Sequence, residues 1–191
     1  TFEQLELRAD ADVDLAIWQR MGATNPRFDL RVDVLDGEAV LADLGLRATG
    51  LKGPLFVRGE DQVERSELGG VRGKLLDDGA SPPAQLLIQG LVSPNEDIPE
   101  DLAAVVRDLP LERRVGVAID DAGVFDLETW DLIRPAGFVD LVWRRRGISN
   151  EDSNAELRLQ LRAASARGPY LPAPAADLQG TVTVTGGRPL L

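Results

Sequence analysis

From Leu5 to Ile17 the chain alternates without a break. Leu5, Leu7, Ala9, Ala11, Val13, Leu15 and Ile17 occupy one set of positions, and Glu6, Arg8, Asp10, Asp12, Asp14 and Ala16 the other. Successive side chains of a strand point to opposite faces, so this period of two predicts a single strand with one apolar and one charged face. The run is long for a strand, whose usual length is about five or six residues. "MGATNP" predicts a turn. Phe28, Leu30, Val32 and Val34 then alternate with Asp29, Arg31 and Asp33. Asp36-Gly37 has the chemistry of a hairpin turn, because both residues tolerate positive φ. On that reading Phe28–Val34 pairs with a return strand over Val40, Ala42, Leu44, Leu46 and Ala48.

The pattern continues in shorter pieces. "GPLFVRG" and "GVRGKLL" read as strands around an acidic turn, "EDQVERSE". Asp78-Gly79 and Pro82-Pro83 punctuate the next turn, and Leu86, Ile88, Gly90 and Val92 form a further strand. "SPNEDIPEDLAAVVRDLP" predicts the one short helix, around Glu100 to Leu109. Asp97 and Glu100 have capping-box spacing, Pro99 suits a first turn, Leu102, Val105, Val106 and Leu109 share a helical face, and Pro110 ends it. Strands are expected again at Val115, Val117 and Ile119, then after a turn at "DDAG" from Phe125 to Trp130. "GFVDLVW", "SNAELRLQLRA" and "GTVTVTGG" complete the set, with "GPYLPAPAADLQG" as a Pro-rich loop before the last. The fold class expected is mainly β and antiparallel, with long amphipathic strands forming a curved sheet or half-pipe, one side buried or lipid-covered and the other wet.

Composition narrows the function classes. The chain has 191 residues with 43% hydrophobic and 28% charged, which places it with ordered globular proteins. Its net charge of −11 opposes nucleic-acid binding, which needs a basic face to displace counterions from phosphates. No apolar run approaches the roughly 20 residues that span a bilayer as a helix. "TFEQLELRAD" is strand-like from the start and is no signal peptide, and the chain stops at "TVTVTGGRPLL". Residues 1–191 are therefore expected to be a single β-rich segment excised from a longer protein.

Candidate chemistry is sparse. There is no histidine and no cysteine, which excludes Ser-His-Asp triads, Cys-His pairs, disulfides and His- or thiolate-based metal sites within the segment. Neither metal nor cofactor is expected, and an enzyme is not. Asp10, Asp12 and Asp14 could form a cation ladder, but the calcium-loop pattern asks for Gly and Glu where Leu15 and Met21 stand, so the solvated face of a strand is favoured. Asp77-Asp78 and Asp120-Asp121 read as turn residues. Arg144, Arg145 and Arg146 follow Trp143 and read as a wet strand end before a headgroup contact. Trp18, Trp130 and Tyr170 read as core or rim aromatics.

The long amphipathic strands with small residues such as Ala9 and Ala11 resemble the AsmA-like superfamily of AsmA, TamB and YhdP, its YhdP branch most of all. "FDLRVDVLDGEAVLADLGLRATGLKGPLFVRGED" is similar in its alternating strand followed by an apolar-Gly-Leu-x-Gly-x-Leu segment, and "LQLRAASARGPYLPAPAADLQG" in its strand and Leu-Pro-x-Pro loop. The likeness covers about half of the chain, and "FVRGED" stands where that branch has a Leu-Tyr-Asp-like element. The resemblance implies a periplasmic segment of a protein anchored in the inner membrane. Its apolar groove would carry phospholipid acyl chains between inner and outer membranes, and its partners would be phospholipid and the two membranes. The groove residues it implies are Leu5, Leu7, Val13, Leu15, Leu30, Val32, Leu157, Leu159 and Leu161.

Another function class fits the same alternation: a structural β-sandwich scaffold or interaction module of an envelope or secretion assembly, in which the apolar face is a dry core. A carboxylate enzyme of glycosidase type ranks third. What separates the first two is whether the apolar face is closed by a second layer or left as an open trough.

Overall fold

A computed structural model of the chain describes residues 5–41, 46–60, 62–75, 82–93, 99–121, 126–147, 154–169 and 172–185. These residues form nine strands: β1 (Leu5–Trp18), β2 (Arg27–Leu41), β3 (Leu46–Glu60), β4 (Gln62–Leu75), β5 (Ala84–Val92), β6 (Glu100–Pro110), β7 (Pro135–Gly147), β8 (Asn154–Ala166) and β9 (Ala175–Thr185). They lie in one sheet in chain order, β1 to β9, each antiparallel to the next. Two short helices, α1 (Arg113–Asp121) and α2 (Leu127–Ile133), occupy the connection between β6 and β7. The fold is the mainly β, antiparallel meander that the alternation predicts.

Residues directly opposite in an antiparallel ladder share a face, so register decides whether the strands' apolar sides coincide. They do. One row runs Val13, Val32, Leu55, Leu68, Gly90, Leu102 and Arg145, each directly opposite the next. A second runs Gly73, Leu86, Val106, Leu141 and Leu159. The opposite face carries the charges: Arg31, Asp33, Arg58, Arg65, Glu67, Asp101, Arg144, Asp140 and Arg162.

The sheet is bent rather than flat. Register shifts interrupt β1 against β2, β3 against β4, β4 against β5, and the β6–β9 ladders. Bulges of this kind kink the strand that carries them and increase local twist. At Gly53 the backbone has φ 144° and passes so close to β4 that a Cβ would sit 2.9 Å from the Gly70 carbonyl oxygen and from Val71 Cα. Ala48, Leu51 and Val71 are buried together on the apolar face although, among the described residues, no second sheet covers them. Their cover comes from side chains of the same sheet, Ala39, Leu68, Leu75 and Leu86, as a curved sheet provides.

Among the described residues, one part of the face is roofed. Val115 of α1 and Trp130 of α2 pack with Ala84, Val106, Leu109 and Val139 into a buried cluster, flanked by Leu75, Leu86, Leu141, Leu159 and Leu161. Gly116 lets the two helices meet, since a Cβ there would lie 2.7 Å from the Trp130 indole. Asp126 caps α2 through Thr129 N–H, and Arg113 pairs with Asp131 across the two helices at 3.1 Å. The Arg167 N–H donates to the Ile133 carbonyl and ties the end of α2 to the segment after β8.

Several expectations are corrected. Asp36-Gly37 is not a turn, and Phe28–Val34 does not pair with Val40–Ala48. β2 continues to Leu41, and Phe28–Val34 pairs with Gly53–Gly59. Gly37 serves close approach instead: a Cβ there would lie 3.3 Å from Ala9 Cβ, Leu51 Cβ and Val34 Cγ1. Asp36 falls at a bulge, where Asp10 faces Asp36 and Ala11 faces Val34, leaving Leu35 extra.

The helix expected at Glu100–Leu109 is strand β6, bonded to β5 on one side and β7 on the other. Val106 and Leu109 share a face three residues apart because a bulge separates them, with Asp108 at φ 58°, and not because of a helical turn. Conversely, the strand positions Val115, Val117 and Ile119 lie in α1, Asp120 and Asp121 end that helix, and the second half of Phe125–Trp130 lies in α2. Of the expected acidic turn "EDQVERSE", Glu60 lies in β3 and Gln62–Glu67 in β4, while Asp61 lies outside the described residues. β9 already begins at Ala175, within the expected Pro-rich loop. Asp77, Asp78, Gly79, Asp97, Phe125 and Tyr170 lie outside the described residues.

Candidate functional site

The feature that sets this chain apart is the apolar face itself. In the described residues it begins at β1, where Val13, Leu15 and Ile17 are 60%, 58% and 64% exposed. It continues through Leu30 and Val32 of β2, both half-buried, and Leu55 and Leu68 of β3 and β4. Each of these sits in direct register with an apolar residue on the neighbouring strand. With neighbouring strands about 4.8 Å apart, the eight steps from β1 to β9 span roughly 38 Å.

Among the nine groove positions drawn from the resemblance, Val13, Leu15, Leu30 and Val32 form a compact block on β1 and β2. Val13 stands opposite Val32, and Leu15 opposite Leu30. Leu157, Leu159 and Leu161 share the face but lie on β8, six strands away from β2. Leu157 is buried at 7%, and Leu159 and Leu161 pack against the cluster beneath the helices. The β8 block is thus largely dry core, and the open stretch is at the β1 side. Leu5 and Leu7 are placed by register alone, opposite Leu41 and Ala39.

Residues that strict alternation did not single out extend the face: Leu55, Leu68, Leu102, Leu141 and Trp143. Bulges and glycines in β3 and β4 interrupt the period of two and hide their phase, while Leu102 was hidden by the helical spacing of β6. The usable signal was the "LVW" of β7, whose Leu141 and Trp143 keep the apolar phase of Val139.

The reverse face is a lattice of charge pairs. Arg27 meets Glu60 at 2.7 Å, Arg47 meets Glu38 at 2.8 Å, and Arg58 meets Asp29 at 3.1 Å. Arg144 grips Asp101 with two hydrogen bonds, 2.9 and 2.6 Å, and Arg162 reaches both Asp108 and Asp140. The hydrogen bond from Arg144 holds the Asp101 carboxyl below the ordinary range, and the one from Arg47 does the same for Glu38. Such exposed pairs contribute little stability each, and their consequence is a hydrated surface. Arg144 and Arg146 thus lie at the partly exposed end of β7, the wet strand end that the sequence suggested, both within 4 Å of Asp101 at the start of β6.

Arg145 differs. It points to the apolar face, with its guanidinium 2.8 Å from Glu100, and the two side chains are 13% and 17% exposed. Trp143, two residues earlier on the same face, has its indole Nε1 buried without an acceptor among the described residues.

Asp10, Asp12 and Asp14 are exposed on the charged side of β1, and among the described residues no three His, Cys, Asp or Glu side chains converge as metal ligands do. Trp130 is a core aromatic, as its sequence context suggested, while Trp18 stands half-exposed at the end of β1. Among the described residues no helix is long and apolar enough to cross a membrane. Comparisons of the chain with protein-family models, with curated proteins and with solved structures found no match.

Proposed function

We propose that this chain is a segment of an envelope-spanning protein of AsmA-like type, and that its apolar face is a trough along which phospholipid acyl chains pass between inner and outer membranes. The observation that carries this reading is register. Eight successive strand pairings keep apolar side chains on one side of the sheet, and the β1–β4 part of that side has no covering layer among the described residues. A soluble β domain that needed only a dry core would bury that face against a second sheet, as a sandwich does. Such a sheet is absent from the described residues, which disfavours the sandwich scaffold.

The energetics favour an acyl occupant. Each methylene moved from water onto an apolar floor is worth about 0.8 kcal/mol, so even a partly seated chain outweighs the loss of its freedom. Residues with open flanks, such as Val13 and Leu15, offer that floor. The paired charges of the reverse face keep the trough hydrated on the outside. On this reading the chain performs no covalent chemistry, and the working surface is a stripe of the sheet and not a handful of residues.

The test is photo-crosslinking in cells. Crosslinkers at Leu15 and Leu30, on the apolar face, are expected to capture phospholipid, and crosslinkers at Asp14 and Arg31, their neighbours on the charged face, are not. Adducts of Leu15 and Leu30 to protein alone would refute the reading in favour of a scaffold.

A further inference from the structure

A charge pair on an otherwise apolar face needs an explanation. Arg145 ends the row Val13, Val32, Leu55, Leu68, Gly90, Leu102, and it faces the same side as that row. Its partner Glu100 starts β6, one alternation before Leu102 on that face. The pair lies at the ends of β6 and β7 away from the helices, which sit at the Pro110 and Pro135 ends. The trough runs across the strands, so strand ends form its rims. Glu100 and Arg145 are therefore at one rim, with the floor at their back.

Three groups on this face carry distinct chemistry, Glu100 and Arg145 in contact at the strand ends and Trp143 two residues further in along β7. Arg145 offers a planar fork of donors to an oxyanion. The Trp143 indole offers one more N–H, which is buried and lacks an acceptor among the described residues; such a buried unsatisfied donor is uncommon and calls for an acceptor. Glu100 offers a carboxylate to a cation. Donor, donor and carboxylate are complementary to a zwitterion that carries a phosphodiester and an ammonium a few bonds apart. With the two charges partly shielded from water, their interaction with such a ligand is screened less than at an open surface.

Resting on the acyl-trough reading above, we propose that Trp143, Arg145 and Glu100 form a headgroup station for a phospholipid with a primary-ammonium zwitterionic head, the phosphoethanolamine class. The phosphate accepts from Arg145 and the indole N–H. The ammonium donates to Glu100, which exchanges its bond to Arg145 for one to the lipid. A purely anionic head would satisfy Arg145 and repel Glu100. A phosphocholine head would satisfy Arg145 but has no N–H for Glu100. The chains of a lipid held at this rim extend over Leu102 and Ala104 toward the trough floor.

The test incubates the protein with vesicles of equimolar phosphatidylethanolamine, phosphatidylglycerol and phosphatidylcholine, and reads bound lipid by native mass spectrometry. The wild type is expected to enrich phosphatidylethanolamine over both others. Glu100→Gln is expected to shift the ethanolamine-to-glycerol ratio toward glycerol by about tenfold, the scale of one charge contact. Trp143→Phe keeps an aromatic ring, smaller than the indole, and removes the N–H; with its melting temperature measured alongside to confirm that it folds, it should lower total lipid bound at this site by several fold. Arg144→Gln, on the charged face, is expected to leave the ratio unchanged.

Lipid bound with the same ratio in wild type and Glu100→Gln, and in the same amount in Trp143→Phe, would overturn the headgroup station while leaving the trough reading intact. No lipid bound by the wild type would overturn both. Glycerophosphoethanolamine, which has no chains, is the control for a soluble ligand, and binding as tight as the lipid's would also overturn the proposal.

Discussion

Trp130→Ala tests whether the helices are a detachable roof on the apolar face. Trp130 is 8% exposed and is packed with Val115 of α1 and with Val106, Leu109 and Val139 of the sheet. Removing a buried Trp side chain costs about 3–5 kcal/mol, the range set by how far the site collapses. Val115, the other buried apolar residue of the two helices among those whose burial is described, contributes about 2 kcal/mol by area, and Leu127 packs beside it, so the largest single contact that docks the helices is lost with Trp130. Helices of nine and seven residues are too short to persist alone, since isolated helices need about 12–15 residues to be even marginal. They should therefore melt when they undock, while the β1–β4 ladders, which among the described residues meet that cluster only through Leu75 at the end of β4, stay paired. A drop of about 3–4 kcal/mol in the free energy of local opening raises the open population roughly 100- to 1000-fold. Hydrogen exchange read by mass spectrometry should show acceleration of that order in 113–121 and 127–133, and little change in β1 to β4. The same variant should bind more of an apolar dye, because Val106, Leu141 and Leu159 lose their cover. Equal acceleration across β1 to β4, or no acceleration in the helices, would refute the view of the helices as a separable layer.

The other predictions turn on exposure and charge. Leu15→Asp, at a residue 58% exposed, should change the melting temperature little, whereas Val139→Asp, at 2%, buries an unpaired carboxylate at a cost of several kcal/mol and should unfold the protein; thermal denaturation of the two variants side by side reads this directly. The Asp101 carboxyl is held below its ordinary value by Arg144, so its contribution is complete above the unfolded-state value of about 3.9 and is lost as pH falls through the lower folded value. Melting temperature followed from pH 6 down to about pH 2 should show a step that Asp101→Asn lacks, and an identical profile in both proteins would refute the assignment.

The β1 and β8 strands were legible as sequence because nothing interrupts their alternation. Leu5–Ile17 and Leu157–Leu161 needed no neighbour to reveal their phase, and the absence of His and Cys settled which chemistries the segment lacks. The apolar side of each of these strands could be named before any pairing was known, since the period of two is a property of the backbone. Val13, Leu15, Leu30 and Val32 were placed on one face in that way, and register put them together.

What tertiary structure decided was wherever a local signal had two meanings. Asp36-Gly37 has turn chemistry, but an Asp-Gly pair also suits a bulge where a neighbouring strand comes within van der Waals contact, and the pairing with β1 and β3 made it the second. Val106 and Leu109 have helical spacing, but a bulge between them gives the same spacing to a strand, and β5 and β7 bonding both edges of β6 selected the strand. Val115, Val117 and Ile119 alternate like a strand, yet they form a helix because Val115 and Trp130 gain burial on the sheet that a further strand there would not give. The sequence by itself determined that each long strand has an apolar side. Only the pairing of nine strands in order made those sides one surface, because long-range register is a property of partners and no single strand contains it.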